Sequence, residues 1–225
     1  PWRLDATGAL PLGDARLPFQ TIKRFLRTRG GLFALSKEGV WRTQDGKSFK
    51  ADSTGLSQPV TKPLDLISHG ADLYLLTSDA IFRRVSSSGR WEAMATPSPA
   101  SPLTCLAVVS AQTHPSQQSR PATMLAGAGS SDLYLSKDQG RTWTPVRSRA
   151  FTRAGGLVSL LATPEGFVIG AAADGTLYWS HDEFQVWRQI ESASTLDPVS
   201  LLRTIGDRCV AATSSGHLHA IDLAP

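Results

Sequence analysis

Cysteine, methionine and tyrosine are scarce in this 225-residue chain, which has two, two and three of them. Two cysteines, Cys105 and Cys209, exclude a disulfide-stapled scaffold, and both fall inside apolar runs where a buried free thiol is expected. No apolar run approaches the roughly 18 residues that cross a bilayer. A soluble chain is therefore expected. Charge is thin as well: 19% of residues are charged, and the net charge is only +4. This mild surplus points to an anionic partner without requiring nucleic acid, and the basic runs lack the interleaved aromatics that base stacking needs. No glycine loop of phosphate-cradling type and no Ser/His/Asp nucleophile signature is present. The chain opens on Pro1 rather than Met, which leaves the compartment open: an extracytoplasmic setting is expected only if an upstream signal or lipid anchor was removed.

What is abundant is turn chemistry, 19 Gly and 14 Pro, set between short apolar runs. The runs repeat: "GLFALSKEGVWRTQDGKSF" ends at Phe49, "DLYLLTSDAIFRRVSSSGRW" at Trp91, "TMLAGAGSSDLYLSKDQGRTW" at Trp143 and "FVIGAAADGTLYWSHDEFQVW" at Trp187. Each is two apolar strands and a tight turn ending on an aromatic that opens another strand. A further β-rich segment precedes each unit, at Ile22 to Arg27, Leu64 to Ser68, Leu103 to Ser110 and Leu157 to Ala162, and a fifth stands at Val199 to Thr204. A last unit, "RCVAATSSGHLHAIDL", stops before its aromatic strand; Trp2 in "PWRLD" is the candidate to supply it.

Four short strands per period of about 40 residues indicate propeller blades. The one long step contains the polar insertion Ala111 to Ala122. The expectation is an all-β, five-bladed β-propeller with four-stranded antiparallel blades, the last closed by the N-terminal strand, forming a single domain over residues 1–225. Closure would remove the exposed edges of an open array. A β-sandwich is the structural alternative.

Residues Ser136-Lys137-Asp138-Gln139-Gly140-Arg141-Thr142-Trp143 match the S-x-D-x-G-x-T-W pattern. The chain thus resembles the Asp-box (BNR repeat) propellers, a superfamily that includes sialidases, sortilin-type receptors and photosystem II assembly and stability factors. The resemblance implies that Ser136, Asp138, Gly140, Thr142 and Trp143 fasten a hairpin. Worn copies keep Ser180, Asp182 and Trp187, with Phe184 in place of Gly, or Asp45 in a box one residue short. In the unit ending at Trp91 only Gly89 and the aromatic remain, with Ser87 or Ser88 where the Asp would stand.

A sialidase-like glycosidase would need an arginine triad and a tyrosine nucleophile with its glutamate. Tyr74, Tyr134 and Tyr178 all lie in apolar strand patterns, and only Asp65 is acidic on the innermost strands. His217 and His219 alternate along one strand with no clear third ligand. No catalytic residue, metal or cofactor is expected. Arginines do cluster: Arg24 and Arg27 on the first inner strand, Arg147, Arg149 and Arg153 in a connection between blades, and Arg203 on the last inner strand. Arg27 and Arg203 are expected to line the channel, with the Arg147 to Arg153 loop on the rim. The function expected is a non-catalytic, monomeric scaffold binding a protein partner or an anionic glycan. A carbohydrate-active propeller, lectin or hydrolase, is the alternative.

Overall fold

The computed structural model describes residues 2–5, 8–11, 21–56, 60, 62–97, 101–109, 121–129, 132–148, 150–151, 154–181, 183–190, 197–205 and 208–221. All regular structure among them is β. An N-terminal hairpin pairs β1 (Trp2–Asp5) with β2 (Gly8–Pro11). Five sheets follow. Sheet one holds β3 (Ile22–Thr28), β4 (Gly31–Ser36), β5 (Gly39–Thr43) and β6 (Lys50–Ala51). Sheet two holds β7 (Pro63–His69), β8 (Asp72–Thr77), β9 (Ile81–Arg84) and β10 (Trp91–Ala93). Sheet three is β11 (Leu103–Val109), β12 (Thr123–Ala128), β13 (Asp132–Ser136) and β14 (Thr144–Pro145). Sheet four is β15 (Leu157–Ala162), β16 (Val168–Ala172), β17 (Leu177–Ser180) and β18 (Arg188–Gln189). Sheet five has three strands, β19 (Val199–Ile205), β20 (Arg208–Thr213) and β21 (Leu218–Ile221).

Strands follow one another in chain order within every sheet. This is the five-bladed β-propeller class that the spacing predicts. The sheets share one template down to an irregularity: the register of the first strand shifts between Ile22 and Arg24, Pro63 and Asp65, Leu103 and Cys105, Leu157 and Ser159, and Val199 and Leu201. A bulge at the start of an inner strand adds local twist and re-aims the side chains beyond it. Glycine is needed where the hairpin after β3 closes: Gly31 has φ +125°, and a Cβ there would stand 2.6 Å from the Thr43 carbonyl oxygen.

The chain forms two compact units, residues 1–77 with 82–93, and 78–81 with 94–225. In the first, Phe33, Leu35 and Val40 of sheet one pack with Leu66, Leu73, Leu75 and Trp91 of sheet two. In the second, β11 lies beside β15 and β15 beside β19. One core there joins Leu125, Leu133 and Leu135 to Phe151, Leu160, Val168 and Trp187, and another joins Ile169, Ala171 and Ile190 to Val199, Leu202 and Ala211. Strand alternation explains this two-sidedness: successive residues of β15, β16 and β17 face opposite neighbours. Cys105 and Cys209 are buried free thiols, as their apolar runs indicate.

The expected closing strand is a correction. Trp2–Asp5 forms a hairpin with Gly8–Pro11, and sheet five has three strands among the described residues. Asp5 stands opposite Gly8, and pairing segments so near in sequence costs far less entropy than joining the two ends of the chain.

Candidate functional site

In sheets one and three the hairpin between third and fourth strands is built around a single carboxylate. In sheet three, Ser136 Oγ donates to Asp138 Oδ1 at 2.7 Å and accepts the Gly140 N–H at 2.8 Å. Asp138 Oδ1 accepts the N–H groups of Arg141 (3.0 Å) and Thr142 (2.9 Å), and its Oδ2 accepts the Thr142 hydroxyl at 2.6 Å. Gly140, at φ +77°, lets the chain turn back beneath the carboxylate. In sheet one the box is one residue short, and each backbone N–H donor stands one residue nearer its acceptor in sequence. Thr43 takes the place of Ser136 and donates to Asp45 at 2.8 Å, the Gly46 N–H reaches Thr43 Oγ1 at 3.0 Å, and Lys47 and Ser48 N–H donate to Asp45 at 2.8 and 2.9 Å.

Sheet four keeps the shape without the glycine. Glu183 and Phe184 hold positive φ of 27° and 52°, a strain of order 1 kcal/mol each that burial of the Phe184 ring offsets. Ser180 Oγ donates to the Val186 carbonyl and Trp187 Nε1 to that of Phe184. Asp182 lies outside the described residues.

Donors converging on a carboxylate favour its charged form. The Thr142 hydroxyl, with the Thr142 N–H and the Ser136 hydroxyl behind it, lowers the Asp138 pKa to about 2. Asp45 sits below the usual carboxylate range too, held there first by the Ser48 N–H and then by the Lys47 N–H. A depressed folded-state pKa stabilises above the unfolded value, near pH 4, and is lost as pH falls toward 2. Melting temperature measured from pH 5 to pH 2 is therefore expected to fall, and to fall less steeply in Asp138→Asn, which starts lower at pH 7. Equal melting of variant and parent at pH 7 would show that the carboxylate fastens nothing.

Sheet two has no such box, and what replaces it is invisible to sequence reading. Arg84 Nε donates to Asp52 Oδ2 at 2.6 Å and Nη2 to Oδ1 at 3.1 Å. Trp91 Nε1 donates to the Asp52 backbone carbonyl at 2.8 Å and reaches its carboxylate at 3.2 Å. The Arg84 guanidinium lies 5.3 Å from the Phe33 ring centre. Asp52 follows β6 and so ties sheet one to sheet two. Trp143 uses its indole similarly, donating to the Ala95 carbonyl at 2.8 Å, but it is half-buried, whereas Trp91 is fully enclosed.

The arginines singled out by sequence divide into engaged and exposed. Arg24 is engaged: it pairs with Asp65, the lone carboxylate of the inner strands, whose Oδ1 also accepts the Leu66 N–H. Arg27 and Arg147 are exposed, and Arg203 is half-buried with Nη1 donating to the Leu202 carbonyl. Arg149 and Arg153 lie outside the described residues. Arg203 stands one position from the place of Arg27 in the shared register. Phe25 pairs with Ala34 as Leu202 pairs with Ala211, so the shared register sets Arg203 in the place of Leu26 and Thr204 in that of Arg27. Side chains alternate along a strand, so the two arginines take opposite faces of their sheets. Tyr74 and Tyr178 are buried in strands, and desolvation raises the pKa of both phenols. His217 is exposed, its Nδ1 2.9 Å from Ser215 Oγ, which in turn donates to Asp197.

No family model matches the chain, and no curated protein does. Solved structures supply the likeness, and they are β-propellers. YCF48 from Cyanidioschyzon merolae superposes with a TM-score of 0.65 at 14% identity, over 94% of this chain and 71% of that one. YCF48 bound to D1 peptide gives 0.62 at 17% identity, over 91% and 65%. The extracellular domain of BT4673 from B. thetaiotaomicron gives 0.65 at 13% identity, over 92% of this chain but 28% of that one. YCF48 is a photosystem II assembly factor, so the fold resemblance drawn from the hairpin motif meets the structural one. At these identities the likeness is one of fold.

Proposed function

We propose that this chain is a non-catalytic Asp-box propeller that serves as a scaffold for an acidic protein partner. The observation that carries the reading is how the arginines divide. Arg24, Arg83 and Arg84 are each paired with an aspartate, whereas Arg27, Arg29 and Arg147 stand exposed on a chain of net charge +4. Exposed cations on an otherwise near-neutral body draw in anionic segments and orient them. A propeller of the same fold with a bound peptide supports a protein ligand. Ser136, Asp138, Gly140, Thr142 and Trp143, with Asp45, Ser180, Asp182 and Trp187 in the worn copies, are read as fasteners of the scaffold. Arg24 is removed from the binding set by its partner Asp65. Among the described residues no helix is long and apolar enough to cross a membrane, and an extracytoplasmic setting, as named for the BT4673 domain, suits the reading.

The test is anisotropy titration of a fluorescent polyglutamate peptide against the parent and against the chain with Arg147, Arg149 and Arg153 changed to Glu. About tenfold weaker binding is expected, equivalent to ~1.4 kcal/mol. Unchanged binding removes that loop from the site. Turnover of a fluorogenic sialoside by the parent would replace the scaffold reading with the glycosidase one.

A further inference from the structure

His217 stands just before β21 and His219 within it, and the two alternate along the chain. Alternation turns both rings to one face of sheet five. Pairing shows which face: His219 stands opposite Ala211, which packs with Cys209 and Ile221 in the core shared with sheet four. The ring centres are 6.3 Å apart, with their planes at 68°. An ion bonded to both rings at about 2.0–2.1 Å holds their centres about 5–6 Å apart, so a small rotation of the side chains closes the pair on it. Both histidines lie in one compact unit with Asp197 and Ser215.

One of the rings is also held in a defined tautomer. Ser215 Oγ donates its only proton to Asp197 Oδ2 at 2.6 Å. A hydroxyl has one donor and two lone pairs, so toward its other neighbours it can only accept. Those neighbours are Thr213 Oγ1 at 2.8 Å and His217 Nδ1 at 2.9 Å. His217 Nδ1 therefore carries the proton, and in the neutral ring Nε2 keeps its lone pair for a ligand. Asp197 Oδ2 is 3.8 Å from Nδ1, so the hydroxyl relays the carboxylate to the ring. Sequence spacing offers the histidines no such partner; the fold brings Asp197 in from 18 positions before Ser215. An imidazole that gives its second N–H to an acceptor backed by a carboxylate is oriented for metal binding and made more basic.

We propose that His217 and His219 chelate a divalent transition-metal ion, Cu2+ ahead of Ni2+ and Zn2+, through one nitrogen of each ring, with Ser215 and Asp197 orienting His217. Imidazole suits these ions and the affinity order is theirs, whereas Ca2+ and Mg2+ take oxygen ligands. Among the described residues no group of three or more His, Cys, Asp or Glu side chains is disposed to hold a metal. The chelate is thus a two-histidine one, and water completes the coordination. It involves none of the arginines and stands apart from the acidic-partner reading.

The test is equilibrium dialysis of the full chain, carrying no affinity tag, against CuCl2, with the electron paramagnetic resonance spectrum of the bound ion. Saturable binding is expected, with coupling to two imidazole nitrogens. His217→Gln and His219→Gln are each expected to weaken that ion at least tenfold and to remove one of the two couplings; using both guards against either failing to fold. Ser215→Ala is expected to weaken it about tenfold, the usual effect of losing an outer-shell partner. Ser215→Thr, which keeps the hydroxyl, is expected to restore most of the affinity, a recovery that a purely structural role of the side chain would not produce. His69→Gln and His181→Gln are expected to bind as the parent does. Unchanged binding in both His217→Gln and His219→Gln overturns the chelate, and so does loss of the ion in His69→Gln or His181→Gln. Displacement of Cu2+ by an equal concentration of Ca2+ overturns the ligand class. Parent-like affinity in Ser215→Ala overturns the relay.

Discussion

Asp52→Ala is expected to lower stability by about 3 kcal/mol, among the largest effects of any single polar substitution in the chain. The carboxylate holds Arg84 through two nitrogens, and the side chains of the pair are only 10% and 13% exposed. Truncation leaves a largely buried guanidinium over the Phe33 ring without its counter-charge, and the Trp91 indole N–H loses one of its two acceptors. The cost thus arises from the uncompensated charge more than from the bonds themselves. A second substitution separates the two. In Asp52→Ala with Arg84→Met the stranded charge is gone, and the double variant is expected to be more stable than Asp52→Ala alone. Urea denaturation of parent, single and double variants measures this directly. A double variant less stable than the single one would mean that the charge is not the source of the loss.

Phe151→Ala is expected to cost about 4 kcal/mol, the range for emptying a buried aromatic site. Phe151 is fully buried and meets Tyr178 and Trp187 edge-on, both at 5.1 Å between ring centres. It belongs to a connection between sheets, yet it fills the core that sheets three and four share, so neither sheet can collapse into the vacancy alone. Phe151→Leu, which keeps most of the volume, is expected to cost less than half as much. The readout is the unfolding midpoint together with the near-ultraviolet circular dichroism of Trp187. A loss below 1 kcal/mol for Phe151→Ala would place the ring outside the load path of that core.

Much of this fold is legible in the residues because the repeat is carried by local signals. Apolar runs separated by glycine turns mark all five inner strands, and Ser136 to Trp143 spells out a hairpin whose bonds span at most four residues. What escapes depends on partners distant in sequence. Asp52 and Arg84 are 32 positions apart, and neither stands in a motif. Edge pairing is equally silent: Trp2–Asp5 has the alternation of a fourth strand, and only the competing partner Gly8–Pro11 decides where it goes. Which face an inner-strand arginine takes is equally hard to read, because the shared register shift sets Arg203 in the place of Leu26, one position from that of Arg27.

The central claim is that one strand template, repeated five times with its inner-strand bulge in the same place, builds the protein. A crystal structure of the chain tests it most directly. The account predicts five antiparallel sheets with bulges at Ile22 to Arg24, Pro63 to Asp65, Leu103 to Cys105, Leu157 to Ser159 and Val199 to Leu201. Any other number of sheets, or inner strands paired without that shared shift, would contradict it.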